Sequence, residues 1–357
     1  MFFSTQKQRV SMSFRAHFAH FLLAVLLISP TASSSAPSHP QRKVPGVGFS
    51  LTPDYGTAAI YFQNGSSVSV ARIEGSPAYK SFMRKHDDRE NAAEEASAVS
   101  SLRSSVCRSI QPLSLPVCKR EPDFASVQGL LRSLQSSVNS YLGATFCFAG
   151  IAVPDRNRQY HNHVIEESLK SIGLRQTHQI LDAPRLVLVA NNIDSSESPG
   201  HKSQAVLSVD YSASGLNVAL FAEDAGVADI IRRNYSQHLG GDHQSEHGHL
   251  EAVEDVLKDI TKPPFGDDLS GSPITDEVRQ VVLFGDLITD PGFRRALERV
   301  VGSKLVEEAH GVNPVFAAAL GMAKSSHERM DDLDFDVQPA LGCRWFSDLY
   351  AAGREDL

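Results

Sequence analysis

Several common kinds of chemistry have no sequence signature in this chain. Its 357 residues contain four cysteines, Cys107, Cys118, Cys147 and Cys343, and no Cys-x-x-Cys pair, which excludes a zinc ribbon and a thioredoxin-type redox site. There is no Gly-x-Ser-x-Gly elbow, no Gly-rich phosphate loop carrying a lysine and no dinucleotide fingerprint. No tract is dense in Lys and Arg, and the formal net charge is −8, so no nucleic-acid partner is expected. Beyond the amino-terminal region, no apolar run approaches the roughly 20 residues that cross a bilayer. The only tryptophan, Trp345, lies in a tail segment that reads as a short docking helix.

What is present begins at the amino terminus. Lys7, Arg9 and Arg15 precede the apolar run Phe21-Leu22-Leu23-Ala24-Val25-Leu26-Leu27-Ile28, which is followed by Pro30 and small residues up to Ala36. That order is the order of a secretory signal peptide, assigned to residues 1–36, with a Ser/Pro linker over 37–43. The expected address is the endoplasmic reticulum lumen or the exterior. The ending Arg354-Glu355-Asp356-Leu357 is only loosely similar to a retention signal. Asn64-Gly65-Ser66 and Asn234-Tyr235-Ser236 are glycosylation acceptor triplets. Cys107 and Cys118 bracket a loop containing Pro112 and Pro116 and are expected to form a local disulfide. Cys147, inside Phe146-Cys147-Phe148-Ala149, reads as a small buried core residue.

The apolar fraction of 41% suits a buried core. Residues 47–51, 57–62 and 66–73 read as strands, the last two joined at Asn64-Gly65, a strong hairpin signal. Residues 80–106 read as a weak helix or connector. Phe124, Val127, Leu131, Leu134, Val138 and Tyr141 fall at helical spacing behind Asp123, and Gly143 ends that helix. Strand 145–153, a helix capped by Asp155, and an apolar strand over 186–190 follow. After the polar break at 194–202, paired strands lie at 205–209 and 216–221, and a helix carries Leu250, Val253, Leu257 and Ile260 up to Pro263-Pro264. Val281-Val282-Leu283-Phe284-Gly285 reads as a strand, Asp290-Pro291 opens a helix that Gly302 closes, and Asn313-Pro314 opens an alanine-rich helix. The pattern occurs twice, predicting an α/β fold of two similar halves, 44–193 and 203–328, with an acidic tail over 329–357.

That order, with Val312-Asn313-Pro314 before Ala317, Ala319, Gly321 and Ala323, Leu239-Gly240-Gly241-Asp242 before a helix, and Ile151-Ala152-Val153-Pro154, resembles the actin-like ATPase superfamily. The closest likeness is to the nucleotide-binding domain of seventy-kilodalton heat-shock (DnaK-type) chaperones. The resemblance implies two lobes of mixed sheet flanked by helices, a reduced actin-like or ribonuclease H-like fold. It also implies a nucleotide cleft at Asp54, Asp210, Gly215, Gly240, Gly241 and Gly285. The chain departs from the family where phosphate would bind. In the first loop Ser50 replaces an acidic residue, Thr52 replaces glycine, and Pro53 has no N–H to offer. In the second, glycines have become Ser212-Ala213-Ser214. The adenosine loop carries Asp286 and Asp290, and the catalytic glutamate falls on Ala183. Phosphoryl transfer works by positioning phosphates and metal against developing charge. These substitutions therefore predict a non-catalytic interaction or scaffold protein with a protein partner and no bound cofactor. A residual ATP-and-magnesium-binding chaperone anchored on Asp210 stands as the alternative.

His243-Gln244-Ser245-Glu246-His247 matches an inverted zinc-protease motif, in which His243 and His247 would share a helical face with Glu246 beside them. A metal-dependent hydrolase is a further alternative on that ground, against a solvated His-rich turn. The run Asp331, Asp332, Asp334 and Asp336 lacks the glycine and terminal glutamate of a calcium loop.

Overall fold

Each sheet is an antiparallel meander with one parallel strand laid against its first strand. In the computed structural model, β1 (Gly46–Leu51), β2 (Tyr55–Tyr61) and β3 (Ser67–Glu74) pair antiparallel in sequence order. Helix α1 (Pro77–Arg84) and helix α2 (Pro122–Leu142) lead to β4 (Phe148–Val153), parallel to β1. After α3 (Gln159–Ser171) come two short strands parallel to β4, β5 (Arg175–Gln176) and β6 (Leu181–Asp182), then helix α4 (Ala183–Ala190). The second sheet runs β10-β7-β8-β9, from β7 (Gln204–Ser212), β8 (Gly215–Asp224), β9 (Val227–Ser236) and β10 (Val278–Phe284). Between β9 and β10 lies α5 (His249–Ile260), and after β10 come α6 (Pro291–Val301), α7 (Ser303–Glu308) and α8 (Ala317–Asp331). The protein is thus α/β, with two mixed sheets flanked by helices. The structure describes residues 44–85, 122–193, 203–224, 227–267, 271, 273–309, 311–332, 334–335, 343 and 349. Residues 42–357 belong to one compact unit. The stretches read as signal peptide and linker (residues 1–43), Cys107, Cys118 and Trp345 lie outside the described residues. Among those described, no helix is long and apolar enough to cross a membrane.

Local chemistry explains most boundaries. Gly65 takes φ +82° at the β2–β3 turn, and Ser76 caps α1 by accepting the Tyr79 N–H at 3.2 Å ahead of Pro77. Asp290 caps α6 by accepting the Phe293 N–H at 2.8 Å, and Gly302 closes it at φ +88°. Arg232 of β9 reaches the carbonyls of Asp259, Ile260, Lys262 and Pro264, satisfying the carboxyl end of α5.

Four features differ from the sequence reading. The run over 186–190 is a helix, not a strand. Pro184 sits in its first turn, and Leu186, Val187 and Leu188 are buried against both sheets, so the apolar run carries no usable periodicity. Helix α3 starts at Gln159 because the Asp155 carboxylate accepts the Asn157 N–H in a local turn at 3.1 Å. Tyr141, placed on the apolar face of α2, is 53% exposed near its end. Cys147 is buried as expected but disulfide-bonded to Cys343 across 196 residues, with Phe335 edge-on to Phe148 beside it. The pairing joins the tail to β4, a distance in sequence that local spacing cannot reveal.

Helix α8 lies against backbone. A Cβ on Gly48 would fall 2.3 Å from the Ala319 carbonyl, one on Gly46 2.1 Å from that of Ala323, and one on Gly321 1.8 Å from that of Leu186. Absent side chains let α8 sit on β1 and cross α4 at backbone distance. One cluster of buried residues, including Ala152, Leu186, Val206, Phe221, Phe284 and Met322, draws on both sheets, α4 and α8. The two halves therefore share a core instead of meeting across an open groove.

Candidate functional site

The carboxyl ends of the parallel strands β1, β4, β7 and β10 converge where ligands of open α/β sheets sit. The cavity left there is about 20 Å³, room for roughly one water. Its walls include Ser50, Thr52, Tyr55, Pro154, Ala183, Asp210, Ser212 and Gly285. Tyr55, one of these walls, is 2% exposed, and the Arg72 guanidinium stacks over its ring at 4.1 Å.

The first turn, between β1 and β2, has spent its donors. Thr52 N–H donates to the Tyr55 carbonyl at 2.9 Å, and the N–H groups of Asp54 and Tyr55 donate to Thr52 Oγ1 at 3.3 and 3.1 Å. Pro53 contributes none. In the second turn, between β7 and β8, the Ala213 N–H donates to Asp286 Oδ1 at 3.1 Å. A carboxylate of the protein thus occupies the kind of donor that phosphate uses.

Asp210 is buried, and burial pushes its carboxyl up to about 7. The nearby Asp286 charge adds to that rise, while the Ser212 hydroxyl, which donates to Asp210 Oδ1, opposes it. Gly285 takes φ +106°, and a Cβ there would fall 2.3 Å from Asp210 Oδ1, so only glycine fits. Burial also holds the Tyr55 hydroxyl well above its ordinary value, with Asp210 the next cause.

Ion pairs and hydrogen bonds join the halves around this cavity. Arg84 of α1 binds Asp54 in the first half and Asp242 in the second, the latter at 3.1 Å. Arg72 of β3 reaches Asp286 at 3.3 Å. Arg233 of β9 reaches Asp182 at 2.8 Å and Asp155 at 3.2 Å, and Asn217 donates to the Pro154 carbonyl at 2.8 Å. Asp182 and Arg233 are 4% and 15% exposed at the side chain, so this pair is shielded from solvent.

No protein-family model and no curated protein matches the chain. The site's chemistry therefore rests on its own residues. Of the positions assigned to a nucleotide cleft, Asp210 and Gly285 line the cavity and Asp54 lies beside it, bound to Arg84. Gly215, Gly240 and Gly241 are not among its walls. A Cβ on Gly240 would fall 2.2 Å from the Gly215 nitrogen, and one on Gly241 2.1 Å from Leu287 Cδ1, so these glycines serve close packing of turn on turn. Adenine nucleotide with magnesium does not fit the space as these residues leave it: small-molecule pockets run to roughly 300–1,000 Å³, the first turn's N–H groups are taken within the turn, and Asp286 takes the Ala213 N–H. Sequence reasoning missed Tyr55, Arg72 and Arg84. Nothing local in the sequence marked the partner of Arg72, 214 residues away.

The His-rich segment is not one helix. Residues 241–243 form a 3-10 turn, Gly248 takes φ +81°, and α5 starts at His249, so His243 and His247 do not share a helical face. His243 Nδ1 lies 2.7 Å from Glu246 Oε1, at the surface. His249 is buried, its Nε2 3.3 Å from the Tyr211 hydroxyl, and burial lowers its basicity. Among the described residues, no group of three or more His, Cys, Asp or Glu is placed to hold a metal ion. In the acidic run, Asp332 and Asp334 hold Arg329 at 2.8 Å each.

Asn64 is exposed at the β2–β3 hairpin tip. Asn234 is half-buried within β9, opposite Val218.

Proposed function

We propose that the chain is a non-catalytic interaction or scaffold protein of the secretory pathway, built on a reduced actin-like ATPase fold of the DnaK type. The repeated strand order and the helix crossing of α4 and α8 support the fold assignment. The observation that carries the functional reading is the committed cleft: the first turn's N–H groups are taken within the turn, Asp286 takes the Ala213 N–H of the second, and the space left has room for roughly one water. Removing one preorganised transition-state donor commonly costs ~10²–10³ in rate, and here both turns and the glutamate position are altered. The shared core and the ion pairs on Arg84, Arg72 and Arg233 support a fixed arrangement of the halves without nucleotide. Such a body offers surface, not turnover, to a protein partner.

Titration calorimetry of the mature protein with ATP and magnesium tests this reading. The expected trace shows no saturable heat; binding in the micromolar range contradicts it. Asp210, still at the end of β7 and in the cavity wall, is the one feature favouring residual nucleotide binding. On that second reading, the change Asp210→Ala abolishes whatever binding the titration detects.

A further inference from the structure

We propose that Asn64 is an N-glycosylation acceptor and that Asn234, in an equivalent sequence triplet, is not. Asn64, Gly65 and Ser66 are exposed at the tip of the β2–β3 hairpin. Asn64 Oδ1 accepts the Ser66 backbone N–H at 2.9 Å and the Ser66 hydroxyl at 2.6 Å. Gly65 supplies the φ of +82° that brings Ser66 back over the carboxamide. A hydroxyl donating to the carbonyl oxygen draws density from it and makes the Nδ2 protons easier to remove. That is the change an amide needs before its nitrogen can act as a nucleophile. These bonds span three residues and draw on no contact from the rest of the sheet.

The reaction this geometry serves is a glycosyl transfer from a lipid-diphosphate-linked oligosaccharide. Asn64 Nδ2 gives up a proton to a base of the transferase and forms a bond to the anomeric carbon of the first sugar. The bond from that carbon to the diphosphate oxygen breaks, and its electron pair leaves with the lipid diphosphate. Nothing is oxidised or reduced.

At Asn234 the same residue types are held differently. Asn234, Tyr235 and Ser236 form consecutive rungs of β9 opposite Val218, Asn217 and Leu216. An extended strand sets alternate side chains roughly 7 Å apart, beyond the reach of a hydroxyl to a carboxamide. A glycan there would also lie on a strand packed beside α5. At Asn64 it would stand at the end of β3, the outer strand of its sheet, and shield that open edge from pairing with other chains.

This inference shares the secretory address of the proposed function, so its test separates the two. The full chain is translated with microsomal vesicles, and protection from added protease is read alongside a mobility shift removed by an amide-cleaving glycosidase. The expected result is a protected chain with one shift, lost in Asn64→Gln and in Ser66→Ala and kept in Asn234→Gln. A shift that survives Asn64→Gln, one lost in Asn234→Gln, or a protected chain with no shift overturns the proposal while leaving the address standing. A chain digested outside the vesicles overturns the address and this proposal with it.

Discussion

Asp286 Oδ1 accepts the backbone N–H of Ala213 at 3.1 Å, while Oδ2 of the same carboxylate faces Arg72 at 3.3 Å. One side chain therefore ties the β7–β8 turn to the outer strand of the other sheet. An anion is present at that turn, and it belongs to the protein.

Replacing that anion frees the turn and leaves Arg72 to Glu74, 3.1 Å away. The change Asp286→Ala is expected to destabilise the protein by about 1–2 kcal/mol, the range for a partly exposed charge-assisted hydrogen bond. Urea denaturation measures it. An unchanged midpoint would show that the contact does not hold the halves together.

Asp210 gives stability a pH dependence of defined sign. Its folded-state carboxyl titrates near 7, against an ordinary value of about 4, so between those values the folded chain holds a proton that the unfolded chain has released. Stability from this group is fully present below about pH 4 and is lost as pH rises through 7. The wild type is expected to be less stable at pH 8 than at pH 5.5, by up to a few kcal/mol. Asp210→Asn should remove most of that difference, because the amide cannot ionise. Chemical denaturation of both proteins at the two pH values checks it.

The Cys147–Cys343 bond closes a loop of 196 residues, and chain entropy assigns such a closure roughly 5 kcal/mol. Cys343→Ser is expected to lower stability by about 2–5 kcal/mol. A reducing agent should narrow the gap between the wild type and the variant, since the Cys107–Cys118 pair expected from the sequence opens in both, in paired thermal melts under both conditions.

Two glycines should respond oppositely to alanine. At Gly321 the new Cβ would fall 1.8 Å from the Leu186 carbonyl, so α8 must move off α4, at a cost of about 1–3 kcal/mol. At Gly129, exposed in the middle of α2 with nothing within 4 Å of the added atom, Gly→Ala should stabilise by roughly 0.5–1 kcal/mol. Melting temperatures of the two variants moving in the same direction would contradict this packing account.

What was legible in the sequence was what short-range chemistry decides. Asn64-Gly65 specified a hairpin, Asp290-Pro291 and Gly302 bounded a helix, and apolar runs placed β1 to β4, β7, β8 and β10, but not β5, β6 or β9. Leu186-Val187-Leu188-Val189 was not legible, because a helix buried on all sides has no polar face to set its period. His243 and His247 were misleading for a related reason: motif spacing presumes a helix, and Gly248 ends the turn before one begins. The cleft was half legible. Asp210 and Gly285 were assigned to a cleft and line the cavity, but Arg72 and Arg84, which bridge the halves around it, find partners across the fold. The Cys147–Cys343 bond lies beyond sequence reasoning on the same ground.

Crystals grown or soaked with an ATP analogue and magnesium test the central claim most directly. The account predicts Asp286 still on the Ala213 N–H, Arg84 still between Asp54 and Asp242, and no nucleotide density in the space bounded by Asp210 and Gly285. A nucleotide seated there with an ordered cation, and Asp286 displaced from the turn, would contradict it.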